Sequence, residues 1–209
     1  MNIIDSLQWR YATKNFDPNS YVSADKLETI KQAFNLTATS YGLQPIKLIV
    51  IKDKELQKDL VQYSMNQKQV AQASHVLVFC TVNTIDEAYI EEYFKCVKTL
   101  RNTPDAILDP FKNYLINDFE NKTKDEIINW SIKQAYLAMG NLLTVCAVEK
   151  IDACPMEGFN PKAYDRVLNL KDHGLSSVLV MPIGYRSEDD MFAGLKKVRK
   201  ELENSVISL

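Results

Sequence analysis

Apolar residues in this chain follow two periods. Lys47-Leu48-Ile49-Val50-Ile51, Val76-Leu77-Val78-Phe79-Cys80-Thr81-Val82 and Ser177-Val178-Leu179-Val180-Met181-Pro182-Ile183-Gly184 are short runs rich in β-branched residues, and they predict strands. The second is apolar nearly without a break, as a sheet covered on both faces requires. Helical spacing predicts helices over 2–11, 24–35 (capped by Ser23), 54–63, 67–73 and 161–168. Asp17-Pro18-Asn19-Ser20, the stretch 37–45 and Lys171-Asp172-His173-Gly174 read as turns or loops.

The longest helical pattern covers 131–150. Ile132, Ala135, Tyr136, Leu137, Ala138, Met139, Leu142, Leu143, Val145, Cys146, Ala147 and Val148 leave it no wide polar face. A surface helix carries one apolar stripe, so a helix apolar all round is expected inside a core or an interface. Lys133, Gln134, Asn141 and Thr144 interrupt it, and it falls short of a membrane span. Gly140 costs roughly 1 kcal/mol against Ala in a helix interior and reads as a close-approach site for another helix. The helix delivers Ile151-Asp152-Ala153-Cys154 and then Pro155-Met156-Glu157-Gly158-Phe159. A proline without an N–H and a glycine of permissive dihedrals predict a sharp turn there, able to present backbone amides to a ligand.

Residues 85–130 mix charge with Tyr89, Tyr93, Phe94, Phe111, Tyr114 and Phe119. They predict two or three amphipathic helices, broken near Thr103-Pro104 and Asp109-Pro110. The rings read as core-facing stripes; the functional alternative is a mobile lid over a flat ligand. Residues 191–203 are mostly polar, and 205–209 predict a terminal strand. Strands alternating with helices, and helical excess overall, predict one α+β domain of three layers over 1–209.

Composition narrows the classes. With 46% apolar and 25% charged residues and a net charge of −2, the 209 residues suit a soluble globular protein without an electrostatic footprint for nucleic acid. Neither a signal segment nor a membrane span is legible, so a cytoplasmic location is expected. Cys80, Cys96, Cys146 and Cys154 form no C-x-x-C pair and are expected as free thiols, mostly buried. The six glycines make neither G-x-G-x-x-G nor a P-loop, and there is no G-x-S-x-G elbow. His75 and His173 lack metal-ligand spacing, so no metal is expected. His75, just before a core strand, reads as a packed, hydrogen-bonded residue. Carboxylates show no evident pair, so a cofactor is expected to carry any chemistry.

Four cations remain. Arg10 and Lys14 lie four apart near the end of the first helical pattern, and Lys197-Val198-Arg199 lies near the C-terminus. Spacing alone favours a solvated charged face. Yet Arg10-Tyr11-Ala12-Thr13-Lys14-Asn15-Phe16-Asp17, Thr37-Ala38-Thr39-Ser40-Tyr41-Gly42-Leu43-Gln44-Pro45, Asn66-Gln67-Lys68-Gln69, Ala73-Ser74-His75-Val76, Pro155-Met156-Glu157-Gly158-Phe159 and Leu195-Lys196-Lys197-Val198-Arg199 follow one another in a familiar order. By these motifs the chain resembles, over nearly its whole length, the FMN-dependent nitroreductase family, in its oxygen-insensitive NAD(P)H nitroreductase and dihydropteridine reductase branch.

The resemblance implies a three-layer α/β/α sandwich around a central, mostly antiparallel sheet. It implies an intertwined homodimer with FMN in clefts between subunits, and 85–130 as a helical excursion over the active site. Arg10, Lys197 and Arg199 are then expected at the phosphate, with Tyr11 and Ala12 beside them. Lys14 is expected at the flavin N1/O2 edge, where negative charge accumulates on reduction. Asn66 and Gln69 bond the pyrimidine edge, and Pro155, Met156, Glu157 and Gly158 run along the ring with amides near N5. Thr39 and Ser40 come from the other subunit, Gly42 joins the cofactor contacts, and Tyr41 and Phe111 face the substrate. Lys14 and Glu157 are the catalytic candidates. Gln69 replaces a cation common in close relatives, Tyr41 and Gly42 replace polar residues, and Ile46 replaces a common Trp. The activity implied is ping-pong transfer from NAD(P)H through FMN to a nitroaromatic, quinone or similar flat acceptor. The alternatives are a flavin or dihydropteridine reductase and a non-catalytic flavin-binding member.

Overall fold

The computed structural model describes residues 2–209. Helix α1 (Ile3–Trp9) starts at Asn2, whose side chain accepts from the Ile4 N–H. It stops at Trp9, two residues before the helical pattern does. Arg10 is already extended, and Ala12 forms a parallel bridge with Ala153. Arg10–Lys14 is therefore strand-like, not a helix end, and alternation puts Arg10, Ala12 and Lys14 on one side of the backbone. Thr13, on the other side, is buried.

The chain continues through α2 (Ala24–Asn35), β1 (Ile46–Ile51), α3 (Lys54–Val61), α4 (Gln69–Gln72), β2 (His75–Val82), α5 (Glu87–Arg101), α6 (Asp105–Glu120), α7 (Lys124–Val148), β3 (Asp152–Ala153), α8 (Pro161–Val167) and β4 (Leu175–Gly184). Ser23 caps α2 as predicted, accepting from the Lys26 N–H. The four strands form one antiparallel sheet in the order β1-β2-β4-β3.

Strand β2 divides the core. Val76, Val78 and Cys80 join one cluster with Leu60 of α3, Val70 of α4, Met156 and Tyr164 of α8. Leu77 and Phe79 join another with Ile30 of α2 and Ala138, Leu142 and Cys146 of α7. Side chains alternate between faces along a strand, so the unbroken apolar run feeds both helical layers. The expected α+β, three-layer, mostly antiparallel architecture is what the chain adopts.

Several boundaries differ from expectation. Helix α7 begins at Lys124, because Thr123 and Glu126 make a reciprocal capping box ahead of the apolar run. Asp109-Pro110 breaks nothing: Pro110 lies inside α6, where burial of Leu115 and Phe119 offsets one lost backbone bond. The break expected near Thr103-Pro104 is present: Asn102, left-handed at φ 52°, ends α5 and Pro104 precedes α6. Residues 205–209 form no strand and are exposed. The short β3 was not legible in its two residues.

Helix α7 is buried along one face only, at Ser131, Gln134, Ala135, Ala138, Met139, Leu142, Cys146 and Ala147. Its other face is open. Ile132, Tyr136, Leu137, Gly140 and Thr144 line a wide, largely apolar groove, and a Cβ at Gly140 would meet nothing within 4 Å. Within the chain the sheet can cover just one side of this helix. Helices α5 and α6 pack on each other and on Leu43 in a third cluster. No helix among the described residues is long and apolar enough to cross a membrane.

Candidate active site

A cleft of about 590 Å³ lies between the strand-like segment after α1 and the C-terminal tail, within the ~300–1,000 Å³ typical of small-molecule sites. Its walls include Arg10, Tyr11, Ala12, Lys14, Pro155, Phe192, Leu195, Lys197 and Arg199. The four cations singled out in the sequence thus converge, although the tail is almost two hundred positions from α1.

None of these four cations joins an ion pair among the described residues. Burial lowers the Arg10 pKa, and Arg199 lowers it further. Burial likewise lowers that of Lys197, followed by repulsion from Arg10 and Arg199. Positive groups crowded together without a counter-ion form a seat for a polyanion such as a phosphate monoester. The Lys197 ammonium also donates to the Leu7 carbonyl at 2.9 Å and to that of Arg10, so backbone holds it in the cleft.

Deeper in, the Lys14 ammonium reaches the Cys154 thiol at 3.6 Å, and the Gln69 amide reaches the same sulfur at 3.8 Å. Gln69 also donates to Gln67 at 2.8 Å, and Gln67 donates to the Gly158 carbonyl at 3.0 Å. This chain joins Lys14, Gln69 and the 155–158 turn. Burial pushes the Cys154 thiol pKa up, so it stays a neutral contact for the lysine.

The turn differs from expectation in two ways. Gly158 has no positive φ; its role is close approach, since a Cβ there would stand 3.1 Å from the Gln67 amide and 3.2 Å from the Met65 sulfur. The Met156 N–H is spent on the Val180 carbonyl at 2.8 Å, so it cannot serve a ligand. The Glu157 and Gly158 N–H groups meet no protein acceptor among the described residues. The Glu157 carboxylate accepts from the Tyr136 hydroxyl of α7. Asn66 is exposed and left-handed at φ 57°.

Thr39, Ser40, Tyr41, Gly42 and Phe111 do not line this cleft. The Thr39 hydroxyl accepts from Gln44, and the Ser40 N–H donates to Gln134 of α7 at 2.8 Å. Tyr41 and Phe111 do meet each other, at 6.2 Å between centroids, and Tyr41 stacks on Trp130. Gly42, at φ 75°, lies against Tyr93, whose hydroxyl would be 2.6 Å from a Cβ. Helices α5 and α6 therefore cover the 40–44 loop rather than the cation cleft of their own chain.

Sequence reasoning missed four residues here. Cys154 and Gln67 supply the links just described. Asp190 accepts from Tyr11, Lys14 and Asn15 on one wall and from Phe192 on the other. Arg186 forms a part-buried pair with the buried Asp152 and lies over the Trp9 and Tyr11 rings. The sequence reads Gln67 as the start of a short helix and Cys154 as a free thiol, while Arg186 and Asp190 fall between the third strand pattern and the polar stretch 191–203, where only their charge marks them.

The chain has relatives among known proteins. A protein of Staphylococcus haemolyticus described as a putative NAD(P)H nitroreductase is 34% identical over 98% of this chain and 95% of its own. The oxygen-insensitive NAD(P)H nitroreductase of Salmonella typhimurium is 32% identical over 99% of each. A structure from Exiguobacterium sibiricum, described as a nitroreductase in complex with FMN, superposes with a TM-score of 0.84 over 100% of this chain and 98% of that one, at 19% identity. At that identity the likeness is one of fold. The nitroreductase family model matches residues 7–185, most of the chain and the wall of the cleft that carries Arg10 and Lys14; this chain belongs to the nitroreductase family.

Proposed function

We propose that the protein is an FMN-dependent NAD(P)H oxidoreductase and that the cation cleft is its cofactor site. The observation that carries this is the convergence of Arg10, Lys14, Lys197 and Arg199 on one cleft with no ion-pair partner among the described residues. When bound, FMN supplies two-electron chemistry between NAD(P)H and a nitroaromatic, quinone or similar flat acceptor, in a ping-pong sequence.

Arg10, Lys197 and Arg199 hold the phosphate, the arginines by paired N–H donors. Lys14 places a fixed positive charge beside the ring, held near Cys154. A preorganised charge of this kind favours the more negative state of a bound group. Gln69, tethered by Gln67, meets the ring as a neutral amide. The Glu157 and Gly158 amides are free to donate to it, and Tyr136 keeps the Glu157 carboxylate turned toward α7. No side chain is needed as a base; solvent supplies the protons.

A homodimer completes the site. The open apolar face of α7 needs cover, and a second copy laid across Gly140 provides it. The partner then brings its own 39–42 loop and α5–α6 excursion, with Tyr41 and Phe111, to the substrate side. Three of the four free thiols are buried, which fits a reducing cytoplasm.

The test is an absorbance spectrum of the purified protein before and after anaerobic NAD(P)H. A flavin spectrum bleached by the nucleotide is expected; a colourless protein that takes up no added FMN overturns the reading.

A further inference from the structure

One buried carboxylate is not among the residues lining the cation cleft, yet it accepts hydrogen bonds from three that are, Tyr11, Lys14 and Phe192. Asp190 is 4% exposed, yet it makes no ion pair among the described residues. Its charge is met by four donors. The Tyr11 hydroxyl gives one at 3.0 Å, the Lys14 N–H a second at 2.9 Å and the Asn15 N–H a third at 3.2 Å, all to Oδ2. The Phe192 N–H gives the fourth, to Oδ1 at 3.0 Å.

The two oxygens serve different walls. Oδ2 holds the segment that carries Arg10, Tyr11 and Lys14; Oδ1 holds the start of the tail that carries Lys197 and Arg199. Burial pushes the Asp190 pKa up, but the hydrogen bonds from Lys14, Phe192, Asn15 and Tyr11 outweigh it and leave the group below the ordinary carboxylate range. An ionised carboxylate is an acceptor at both oxygens, and this arrangement uses both. An amide of the same shape can accept at one end only. Its NH₂ would confront either the Lys14 and Asn15 N–H groups or that of Phe192.

We propose that Asp190 is a positioning residue for the redox reaction: by fixing the Lys14 backbone amide against the tail, it sets where the Lys14 ammonium stands relative to the flavin ring. The assignment rests on the cofactor reading above. It goes beyond a clamp on two loops, because Lys14 is the cation whose effect depends on the oxidation state of the ring. The phosphate cations act alike in both states. Displacing the Lys14 amide therefore changes the affinity for reduced flavin more than that for oxidised flavin.

The experiment compares full-length wild type, Asp190→Asn and Tyr11→Phe. Apoprotein is titrated with FMN by fluorescence, and the loaded forms are titrated redox-potentiometrically; thermal melts of the apoproteins report the fold. Asp190→Asn is expected to loosen oxidised FMN roughly tenfold, about the worth of one hydrogen bond to a charged group. It is expected to loosen reduced FMN by a further factor of ten, which lowers the two-electron midpoint by ~30 mV. Tyr11→Phe removes one donor of the four and should shift the midpoint in the same direction by less, which keeps the test open if Asp190→Asn does not fold. Equal loosening of both oxidation states, with an unmoved midpoint, would reduce Asp190 to a structural clamp and overturn the proposal. Wild type that binds no FMN would instead overturn the cofactor reading, and this role with it.

Discussion

The Tyr136 hydroxyl donates to the Glu157 carboxylate at 2.8 Å, and this bond joins the open face of α7 to the turn after Pro155. A hydrogen bond to a charged group contributes roughly 1.5–3 kcal/mol when shielded, and less here because Tyr136 is 45% exposed. Tyr136→Phe should lower the urea midpoint of unfolding only slightly and lower kcat for a nitroaromatic acceptor, since the turn loses its tether. Steady-state kinetics equal to wild type would show that the turn does not depend on α7.

Lys14 and Lys197 should separate in their effects. A preorganised charge beside a developing charge is worth roughly 3–4 kcal/mol in a water-poor site, and ~30 mV corresponds to about 1.4 kcal/mol for two electrons. Lys14→Met should lower the flavin midpoint potential by tens of millivolts and slow reduction by NAD(P)H. Lys197→Met should chiefly weaken FMN binding, because the phosphate charge is the same in both oxidation states. A redox titration of Lys14→Met that overlays the wild-type curve removes Lys14 from the mechanism.

Gly140 tests the assembly. A Cβ there meets nothing in its own chain, so the helix itself tolerates a larger residue. Gly140→Leu should fold but hold a second copy apart, giving monomer in sedimentation and loss of flavin. A dimer with full flavin content would mean that the interface lies elsewhere.

Gly42 has less room. It combines φ 75° with the Tyr93 hydroxyl 2.6 Å from a Cβ position. A non-glycine residue held in such a conformation costs of order 1–3 kcal/mol. Gly42→Ala should destabilise the protein by about that amount in urea denaturation, and Tyr93→Phe in the same chain should recover part of the loss. Additive effects of the two changes would show that the contact is not the cause.

His75 gives a pH dependence. It is buried, shares a 2.9 Å hydrogen bond with Ser74, and its pKa is lowered from 6.5 by burial and then by Lys52, Lys54 and Lys31. Between the ordinary histidine value and this lower one, the unfolded chain binds a proton that the folded chain does not. The stability is therefore fully present above the ordinary value and is lost as pH falls through that window. His75→Gln should flatten the slope there, as urea midpoints against pH would report; an unchanged slope would assign it to another group.

What the sequence alone determined is what periodicity and local chemistry encode. The unbroken apolar run in 76–80 specified two buried faces and hence three layers. Ser23 specified a helix start, and the order of the motifs placed Arg10, Lys14, Lys197 and Arg199 in one family pattern. Backbone geometry within a few residues is enough for the strand and helix signals; the four cations were tied together by resemblance to the family, since their spacing alone reads as a solvated face. Tertiary structure decided the rest. The 10–14 segment left the helical pattern because Ala12 pairs with Ala153, and α6 ran through Pro110 because Leu115 and Phe119 are buried. Asp190 and Lys14 meet across 176 positions. Nothing local marks that carboxylate among Glu188, Asp189 and Asp190, because its value lies in four donors gathered by packing, and a hydrogen bond depends on where groups stand in space rather than on where they lie along the chain.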